Sequence, residues 1–308
     1  MKVRRLRPED LLIKVRPKAL FLALMGGLWL ARTIMGQDGF PPLLYAAEGA
    51  NKIIRYGSDG NVAWEYPAEM ARDVWALPNH NVLFCYNLQY DSGRHENPSG
   101  VIEVTPDKRV VFSFSTTGQV WSCQRMTDGN TLVGAASQGR LLVVNPEARI
   151  IKTIPVLNPP GHSCLRNARQ IANGDFLVAE ESAHAVREYS AQGKLVREMK
   201  VDFAPFSAVR LENGNTVICG QQTITEVDPT DKLTWSMKGE DLPEMGIRWF
   251  AGIQVLPNRN VFVCNAGGKI PFLEISPDKR VVWRSPSAMN VPFGHGIQRL
   301  DIEGKPRK

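Results

Sequence analysis

The feature that most constrains this chain is a short phrase that recurs along it: an apolar or small strand, a tight polar turn and a second apolar strand. The full copies are VWALPNHNVLF (74–84), CQRMTDGNTLV (123–133), ARQIANGDFLV (168–178), AVRLENGNTVI (208–218) and IQVLPNRNVFV (253–263), and a partial copy is GIQRLDIEG (296–304). Successive equivalent residues lie 49, 45, 40, 45 and 44 positions apart (Leu77, Met126, Ile171, Leu211, Leu256, Leu300). A period of about 40–45 residues built from short strands predicts a β-propeller.

Each repeat supplies four strands, which we name A to D. In the first repeat, strand A covers roughly 72–78, B covers 81–87, C covers 101–106 and D covers 109–115. Alternating apolar residues bounded by Asn, Asp, Gly and Pro are typical of strands joined by hairpins. No segment shows sustained helical periodicity, so we predict an all-β chain with very little helix.

The two ends of the repeat region complement each other. The first strands, 43–48, 52–57 and 61–66, resemble B, C and D without a preceding A, and the last strand, near 293–300, resembles an A without a following B. Joined into one blade, they close the circle and protect its open edges. We therefore predict a six-bladed propeller over 42–301, within a domain of 37–304 that is followed by a tail, 305–308.

The first 36 residues have a different composition. Seven basic residues precede a 13-residue apolar stretch, ALFLALMGGLWLA (19–31). A basic segment followed by an apolar one is typical of a secretory signal peptide. The stretch is short for a membrane-spanning helix, which needs about 20 apolar residues, yet without a clean cleavage site an uncleaved anchor stays open. A disordered basic tail is the third alternative. We expect an extracytoplasmic protein, periplasmic or secreted, that touches a membrane only through 19–31 if the leader is retained.

The net charge of +6 arises entirely in this leader. Eight of the 37 basic residues and two of the 31 acidic residues lie before 37, which leaves 29 of each in the rest of the chain. The repeats are therefore electrically balanced, and we predict no nucleic-acid partner. We expect a monomer.

The five cysteines show no metal-binding spacing. Cys85, Cys219 and Cys264 occupy one position of strand B, where other repeats carry Gly134 and Ala179. Cys123 lies on a strand A, at a position typical of a small, buried hydrophobic residue. Cys164, near the start of a strand A, is the one cysteine that this pattern does not explain.

The repeats resemble the quinoprotein-like (PQQ-like) propeller repeat, and the likeness covers about 42–301. Its most specific element is a turn followed by a tryptophan in strand D: SDGNVAW ends at Trp64, VDPTDKLTW at Trp235 and SPDKRVVW at Trp283. The resemblance implies that this aromatic residue docks one blade onto the next. Phe112 substitutes for it in one repeat, whereas Lys152 and Arg197 break the pattern.

The LPNGN-like hairpin is also similar to that of arylsulfotransferase-like propellers, in which a histidine often opens strand A. Only His295 holds that place here. Quinone-dependent members of the first family have eight blades and a pair of adjacent cysteines, whereas this chain has six repeats and no such pair. We therefore predict no cofactor.

The central funnel is the default ligand site of a propeller, because every blade contributes loops to it. The residues that start the A strands, those one step along and those of the connecting loops give the candidate set Arg72, Asp73, Trp121, Ser122, His162, Arg166, Asn167, Phe206, Trp249 and His295. Arginine provides a fork for carboxylate, sulfate or phosphate, and tryptophan a flat face for a ring. The pattern favours an anionic or ring-bearing ligand. In the alternative interpretation, Arg72 pairs with Asp73 or another carboxylate while Trp121 and Phe206 fill the channel.

His295 and His162 are the catalytic candidates, as a base or a nucleophile, although a single histidine is more often a structural hydrogen-bonding group. The sequence contains no zinc spacing, no EF-hand loop and no nucleophile elbow, so we predict no metal. Calcium-binding six-bladed lactonases use scattered oxygen ligands, and Asp73, Asn167 and Glu180 resemble such a set.

Three functions remain. The first is an exported, non-catalytic propeller that binds a small molecule at its funnel or a protein at its face. The second is an enzyme of the sulfotransferase, lyase or lactonase kind that acts through His295, with Arg72 and Arg166 stabilising an anion. The third is a periplasmic assembly scaffold.

Overall fold

A computed structural model describes residues 39–89, 96–287, 289–304 and 306–308. The predicted leader, residues 1–36, lies outside the described residues. No helix in the described part of the chain is long and apolar enough to cross a membrane.

The described chain forms 24 strands in six four-stranded antiparallel sheets, so the predicted six-bladed propeller is confirmed. Strands β4 to β7 form blade 1, and the next sixteen strands form blades 2 to 5 in groups of four. Blade 6 combines β24 with β1, β2 and β3. The strands are β1 (Leu43–Ala47), β2 (Lys52–Tyr56), β3 (Val62–Pro67), β4 (Val74–Ala76), β5 (Val82–Asn87), β6 (Pro98–Val104), β7 (Val110–Thr117), β8 (Val120–Arg125), β9 (Thr131–Ala135), β10 (Arg140–Val144), β11 (Ile150–Pro155), β12 (Asn167–Gln170), β13 (Phe176–Glu180), β14 (Ala185–Tyr189), β15 (Leu195–Lys200), β16 (Ser207–Arg210), β17 (Thr216–Gly220), β18 (Thr223–Val227), β19 (Leu233–Lys238), β20 (Phe250–Val255), β21 (Val261–Asn265), β22 (Phe272–Ile275), β23 (Val281–Arg284) and β24 (Ile297–Arg299).

Helical structure in the described residues is limited to short 3₁₀ turns, such as Glu48–Ala50 and Gly239–Asp241. The predicted strand boundaries differ from the observed ones by a few residues. Strand C of blade 1, for example, begins at Pro98 and ends at Val104, whereas the sequence predicts 101–106.

Blade 6 closes the ring as predicted. Strand β24 pairs antiparallel with β1, with Leu43 opposite Arg299 and Tyr45 opposite Ile297. The sheet then continues through β2 to β3. Because the last A strand pairs with the first B strand, β1 is not left as an edge strand.

Apolar side chains between neighbouring blades form the core, in clusters that each combine strands of two blades. All five cysteines are buried and none forms a disulfide. Cys164 donates its thiol to the Asn158 carbonyl at 3.3 Å, and burial raises its pKa to about 12. It is therefore an inert, buried thiol in this structure.

The strand D position of the tryptophan pattern links successive blades. The indole N–H groups of Trp64 and Trp235 donate to the carbonyls of Pro106 and Pro277, at 2.9 and 2.7 Å, in the turn of the next blade. Lys152 and Arg197, which break the pattern in sequence, make the equivalent bonds to the carbonyls of Ala191 and Asp228 at 3.0 and 2.6 Å. Four of the six blades therefore carry a long hydrogen-bond donor at this position, aromatic or not, whereas Phe112 occupies it in blade 1 without a donor.

Candidate functional site

The candidate site lies where the A strands begin, at one end of the central channel. Its side chains come from the segments just before β4, β12, β16, β20 and β24, from β8 itself and from the turn after β1. We call this opening the mouth and define it by eight residues: Glu48, Arg72, Trp121, Arg166, Phe206, Trp249, Phe293 and His295. Five of them line the central cavity directly, and Glu48, Trp249 and Phe293 complete the circuit.

One half of the mouth is aromatic. The rings of Phe206 and Trp249 lie 6.0 Å apart between centroids, those of Trp249 and Phe293 5.9 Å, and those of Phe293 and His295 5.1 Å. All three contacts are edge-to-face, which is a favourable geometry for aromatic rings. This half is a continuous arc of aromatic surface.

The other half is ionic. Glu48 accepts two hydrogen bonds from Arg72, at 2.7 and 3.1 Å, and its Oε2 atom lies 3.2 Å from Nε2 of His295. Arg166 forms an ion pair with Glu181. Nη2 of Arg166 also lies 3.0 Å from Nε2 of His162. Each arginine of the mouth is therefore matched by one carboxylate.

Trp121 joins the two arginines. The Arg72 guanidinium carbon lies 4.0 Å from the Trp121 ring centroid and that of Arg166 lies 5.8 Å from it. The indole N–H donates to the His162 carbonyl at 3.0 Å. Arg166 also lies 5.7 Å from the Phe206 ring, which completes the circuit of eight contacting side chains. Trp121 is only 1% exposed, so it forms the floor of the ionic half.

The segment before β24 owes its position to close backbone contacts with β1. Tyr45 donates its hydroxyl to the Pro292 carbonyl at 2.8 Å, and the Gly49 amide donates to the Phe293 carbonyl at 2.7 Å. A Cβ atom at Gly294 would lie 2.1 Å from the Ala46 oxygen, so only glycine fits there. These contacts place Phe293, His295 and Glu48 side by side, although 247 residues separate Tyr45 from Pro292.

Burial sets the charge state of the mouth. It lowers the pKa of the His162 imidazole to about 4, with further contributions from Arg166 and Arg72. It also lowers the pKa of His295, against the opposing effect of Glu48. Burial alone would raise the pKa of Glu48, but contacts with His295 and Arg72 outweigh it and lower this pKa to about 2. At neutral pH both imidazoles are therefore neutral and Glu48 is ionised.

Below the mouth, the channel is narrow. The central cavity contains about 420 Å³ of space between atoms, but only about 30 Å³ of it accepts the centre of a water molecule. That is room for a few waters rather than for a ligand. Because five mouth side chains line this cavity, a ligand of the size of one ring would have to lie on their outer, solvent-facing side rather than between them.

Three charged residues that we call the inner cluster occupy the channel: Asp73, Arg169 and Lys308. Arg169 donates to both carboxylate oxygens of Asp73, at 2.7 and 3.0 Å. The Lys308 ammonium lies 3.8 Å from Asp73, bonds to the Val74 carbonyl and lies 4.5 Å from the Trp75 ring centroid. The described end of the predicted tail thus fills the channel rather than extending into solvent.

The ten sequence-predicted site residues fall into three groups. Arg72, Trp121, Arg166, Phe206, Trp249 and His295 meet at the mouth, and His162 contacts Arg166 there. Asn167 lines the cavity and Asp73 belongs to the inner cluster. Ser122 is fully buried at the β8–β9 pair, close to Gly134, and does not line the central cavity.

Glu48 and Phe293 are mouth residues that the sequence analysis did not identify. Glu48 directly follows a strand B, the same place as Glu181 after the strand B of blade 3 (β13). The position was therefore recognisable from the repeat. Phe293 lies seven residues before Leu300, the same place as Trp249 before Leu256 in blade 5, so the repeat indicates this position as well.

The described residues contain no cluster of His, Cys, Asp or Glu that could hold a metal ion. The calcium-like candidates do not converge. The carboxylate of Asp73 forms an ion pair with Arg169. The carboxylate of Glu180 accepts hydrogen bonds from Tyr189, at 2.5 Å, and from Arg187.

Solved structures with the same fold support the architecture. A protein of unknown function from Bacteroides caccae is 22% identical with a TM-score of 0.71, over 83% of this chain and 98% of its own. A streptogramin B lyase is 13% identical with a TM-score of 0.60, over 84% and 83% of the two chains. At these identities the likeness establishes the fold alone.

A catalytically inactive histidine-to-alanine variant of virginiamycin B lyase from Staphylococcus aureus, solved with quinupristin, is also similar. It is 11% identical with a TM-score of 0.58, over 85% of this chain and 89% of its own. No protein-family model and no curated protein matches the sequence. The resemblance to the quinoprotein-like repeat therefore stays a prediction.

Proposed function

We propose that this protein is an extracytoplasmic, non-catalytic binding propeller whose mouth takes up a small ring-bearing molecule with one anionic group. The observation that carries the proposal is the circuit of eight contacting side chains, aromatic on one side and ionic on the other. The ligand ring would pack on Phe206, Trp249 and Phe293, and its anionic group would face Arg166. Such a division between an apolar wall and a few polar groups is typical of small-molecule sites.

Arg166 supports the anionic part of the proposal. Its Nη1 atom is buried and has no hydrogen-bond partner among the described residues. A buried donor gains free energy when an acceptor oxygen reaches it, so an anionic group beside Arg166 would be stabilised. A carboxylate or sulfate oxygen would satisfy it with a charge-assisted bond.

The two carboxylates limit the ligand charge. Glu48 and Glu181 already balance Arg72 and Arg166, and the two imidazoles are neutral. The mouth thus has no large positive excess that would attract a polyanion. We infer that it recognises one anionic group, held by geometry rather than by net charge.

A second candidate, an enzyme that acts at the same mouth, is favoured by one pair of residues. The neutral imidazole of His295 lies 3.2 Å from the ionised Glu48, an arrangement in which a carboxylate orients a general base. Arg72 and Arg166 would then stabilise a developing anion. The histidine-dependent lyase of similar fold makes this candidate testable, but the fold likeness alone does not support it over binding.

Calorimetric titration distinguishes these functions. We expect phenyl sulfate, benzoate or galacturonic acid to bind, and the uncharged benzyl alcohol and galactose to bind at least about tenfold more weakly. Arg166→Gln should weaken binding of the anionic probes by about tenfold or more. Arg149→Gln, which removes an exposed arginine from a strand C–D turn, should bind like the wild type.

Two results would overturn the binding proposal. Absence of heat with every probe would show that the mouth is not a site for such molecules. Conversion of aryl sulfates, lactones or other substrate probes by the wild type, lost in a folded His295→Gln variant, would show that the protein is an enzyme.

A further inference from the structure

A second depression lies beside the mouth, between the connecting loops of blades 4 and 5. We call it the rim groove and define it by Gln221, Gln222, Lys238, Arg248 and Trp249, which line it together with residues around Asp202 and Gly239. It is open to solvent, and its cavity volume of about 530 Å³ lies within the range of small-molecule sites, about 300–1,000 Å³.

Trp249 belongs to both the mouth and the rim groove. Within the mouth it packs edge-to-face with Phe206 and Phe293, and it also lines the rim groove. It is 38% exposed, in contrast to Trp121 at 1%. The two depressions therefore share one aromatic wall.

The backbone around this exposed tryptophan is held on both sides. The Trp249 carbonyl accepts a bond from the Ala266 amide at 2.8 Å, and the next amide, of Phe250, donates to the Gln221 carbonyl at 2.7 Å. The Arg248 amide donates to the side-chain oxygen of Asn265 at 2.8 Å. An aromatic side chain that is solvent-exposed but rigidly presented loses little entropy on binding, as binding platforms require.

Asn265 is a buried support for this loop. It is fully buried, and its side-chain amide donates to the carbonyls of Ile270 and Gly246, at 2.9 and 3.3 Å. Gly267 adopts a φ of +67° and allows Arg248 and Phe293 to approach it closely. The loop conformation is thus fixed from within before any ligand arrives.

The polar lining of the rim groove indicates the kind of ligand. Four exposed charged side chains line it, namely Lys238, Arg248, Asp202 and Glu240, so its positive and negative charges balance. None of the four forms an ion pair with another described residue, and Lys238 and Arg248 are the two that could face an anion. Gln221, Gln222 and Thr223 add amide and hydroxyl groups beside one aromatic face. One aromatic face among many hydrogen-bonding groups suits a sugar ring, which has an apolar face and several hydroxyls, better than a second aromatic ring.

We propose that the rim groove is a second ring subsite and that the ligand is an acidic oligosaccharide that spans both depressions across Trp249. This inference rests on the proposed function, because it assigns the first ring to the mouth. The second sugar ring packs on the groove side of Trp249. Its carboxylate or sulfate lies near Arg248 and Lys238.

The length of the oligosaccharide ligand is the variable that tests this inference. We expect digalacturonic acid to bind the wild type at least about tenfold more tightly than galacturonic acid, since a second anion and a second ring are engaged. Lys238→Ala and Arg248→Ala should abolish most of this gain and leave the affinity for galacturonic acid unchanged. Lys194→Ala, an equal loss of charge in an exposed turn of blade 3, should keep the full gain.

This experiment distinguishes failure of the binding proposal for the mouth from failure of the proposed subsite in the rim groove. Arg166→Gln should weaken binding of both sugars by the same factor, whereas the two groove variants should affect only the longer one. Equal affinity of the wild type for the two sugars would overturn the second subsite while the mouth stands. An unchanged length dependence in both groove variants would overturn it as well, provided that their thermal unfolding matches the wild type.

Discussion

The mouth and the inner cluster are built from neighbouring residues but differ in how completely their charges are satisfied. Arg72 and Asp73 are adjacent in sequence, yet Arg72 pairs with Glu48 at the mouth while Asp73 pairs with Arg169 inside the channel. Asp73 also accepts backbone bonds from Val74 and Cys123, both at 3.0 Å. Its four hydrogen bonds tie β4, β8 and β12, the A strands of three successive blades.

The charged and polar groups of the mouth are less completely hydrogen-bonded. Among the described residues Nη1 of Arg166 has no hydrogen-bond partner, and Nε2 of His295 has only the Glu48 carboxylate beside it, at 3.2 Å. A fully satisfied buried network stabilises one conformation, whereas donors with spare hydrogen-bonding capacity at an opening remain able to bind a further acceptor. This difference supports the proposal that the inner cluster is structural and that the mouth is the binding site, and four measurements test it.

The largest effect is expected at Asp73. Asp73→Asn removes the side-chain carboxylate that pairs with Arg169 and lies beside Lys308, and both cations are buried. Breaking a buried ion pair in this way costs about 3–5 kcal/mol of unfolding free energy, measurable by urea denaturation. Asp278→Asn, in an exposed turn, is the control and should unfold like the wild type. A variant at Asp73 as stable as the wild type would refute the structural role of the inner cluster.

The matched change at the mouth is Glu48→Gln. The amide oxygen still accepts a bond from Arg72, so the expected loss of unfolding free energy is smaller, about 1–3 kcal/mol. At the same time Arg72 loses its counter-charge, so anionic probes should bind more tightly than to the wild type. Stability comes from the same urea titration and affinity from calorimetry. Weaker binding of anions by this variant would contradict the assignment of the mouth.

The fold was predictable because its determinants are local and repeated. The turn residues of each hairpin, such as Asn79 and Gly129, and the missing strands at the two ends indicate six blades and their closure without reference to distant contacts. The period also fixes which residue begins each A strand. That is why Arg72, Trp121 and Phe206 were placed together from sequence.

The partners of these residues were less predictable, because charge pairing depends on side-chain direction and on distant segments. Arg72 pairs with Glu48 in the turn after β1, and Arg169 pairs with Asp73, which lies 96 residues away in sequence. Lys308 carries no local signal that would place it in a channel. Lys152 was read as a break in a pattern, because the sequence shows residue types and not the carbonyl that the side chain must reach.

The third measurement concerns Lys308, where burial lowers the pKa to about 8. The unfolded chain keeps this proton up to about pH 10.4, so between pH 8 and that value the unfolded state binds more protons. The wild type should therefore gain stability relative to Lys308→Met as the pH rises through this window. The comparison with the variant cancels the titration of the buried thiols. A constant stability difference from pH 7 to 10.5 would show that the ammonium is not buried in the channel.

The smallest effect is expected from His162, at the solvent-facing end of the same channel. Its pKa in the folded protein is lowered to about 4, whereas an unfolded histidine titrates near 6.5. Between these values the unfolded state binds more protons, so the wild type should lose stability as the pH falls from 6.5 to 4. His162→Gln should show a shallower pH dependence, and what remains should reflect His295 and, towards pH 4, Glu48, whose pKa values are also lowered. Since His162 is only half-buried, water screens its charge, and its share should be smaller than that of Lys308. Identical acid profiles for variant and wild type would mean that the His162 imidazole is free to charge, and the mouth would then carry an additional positive charge in mildly acidic solution.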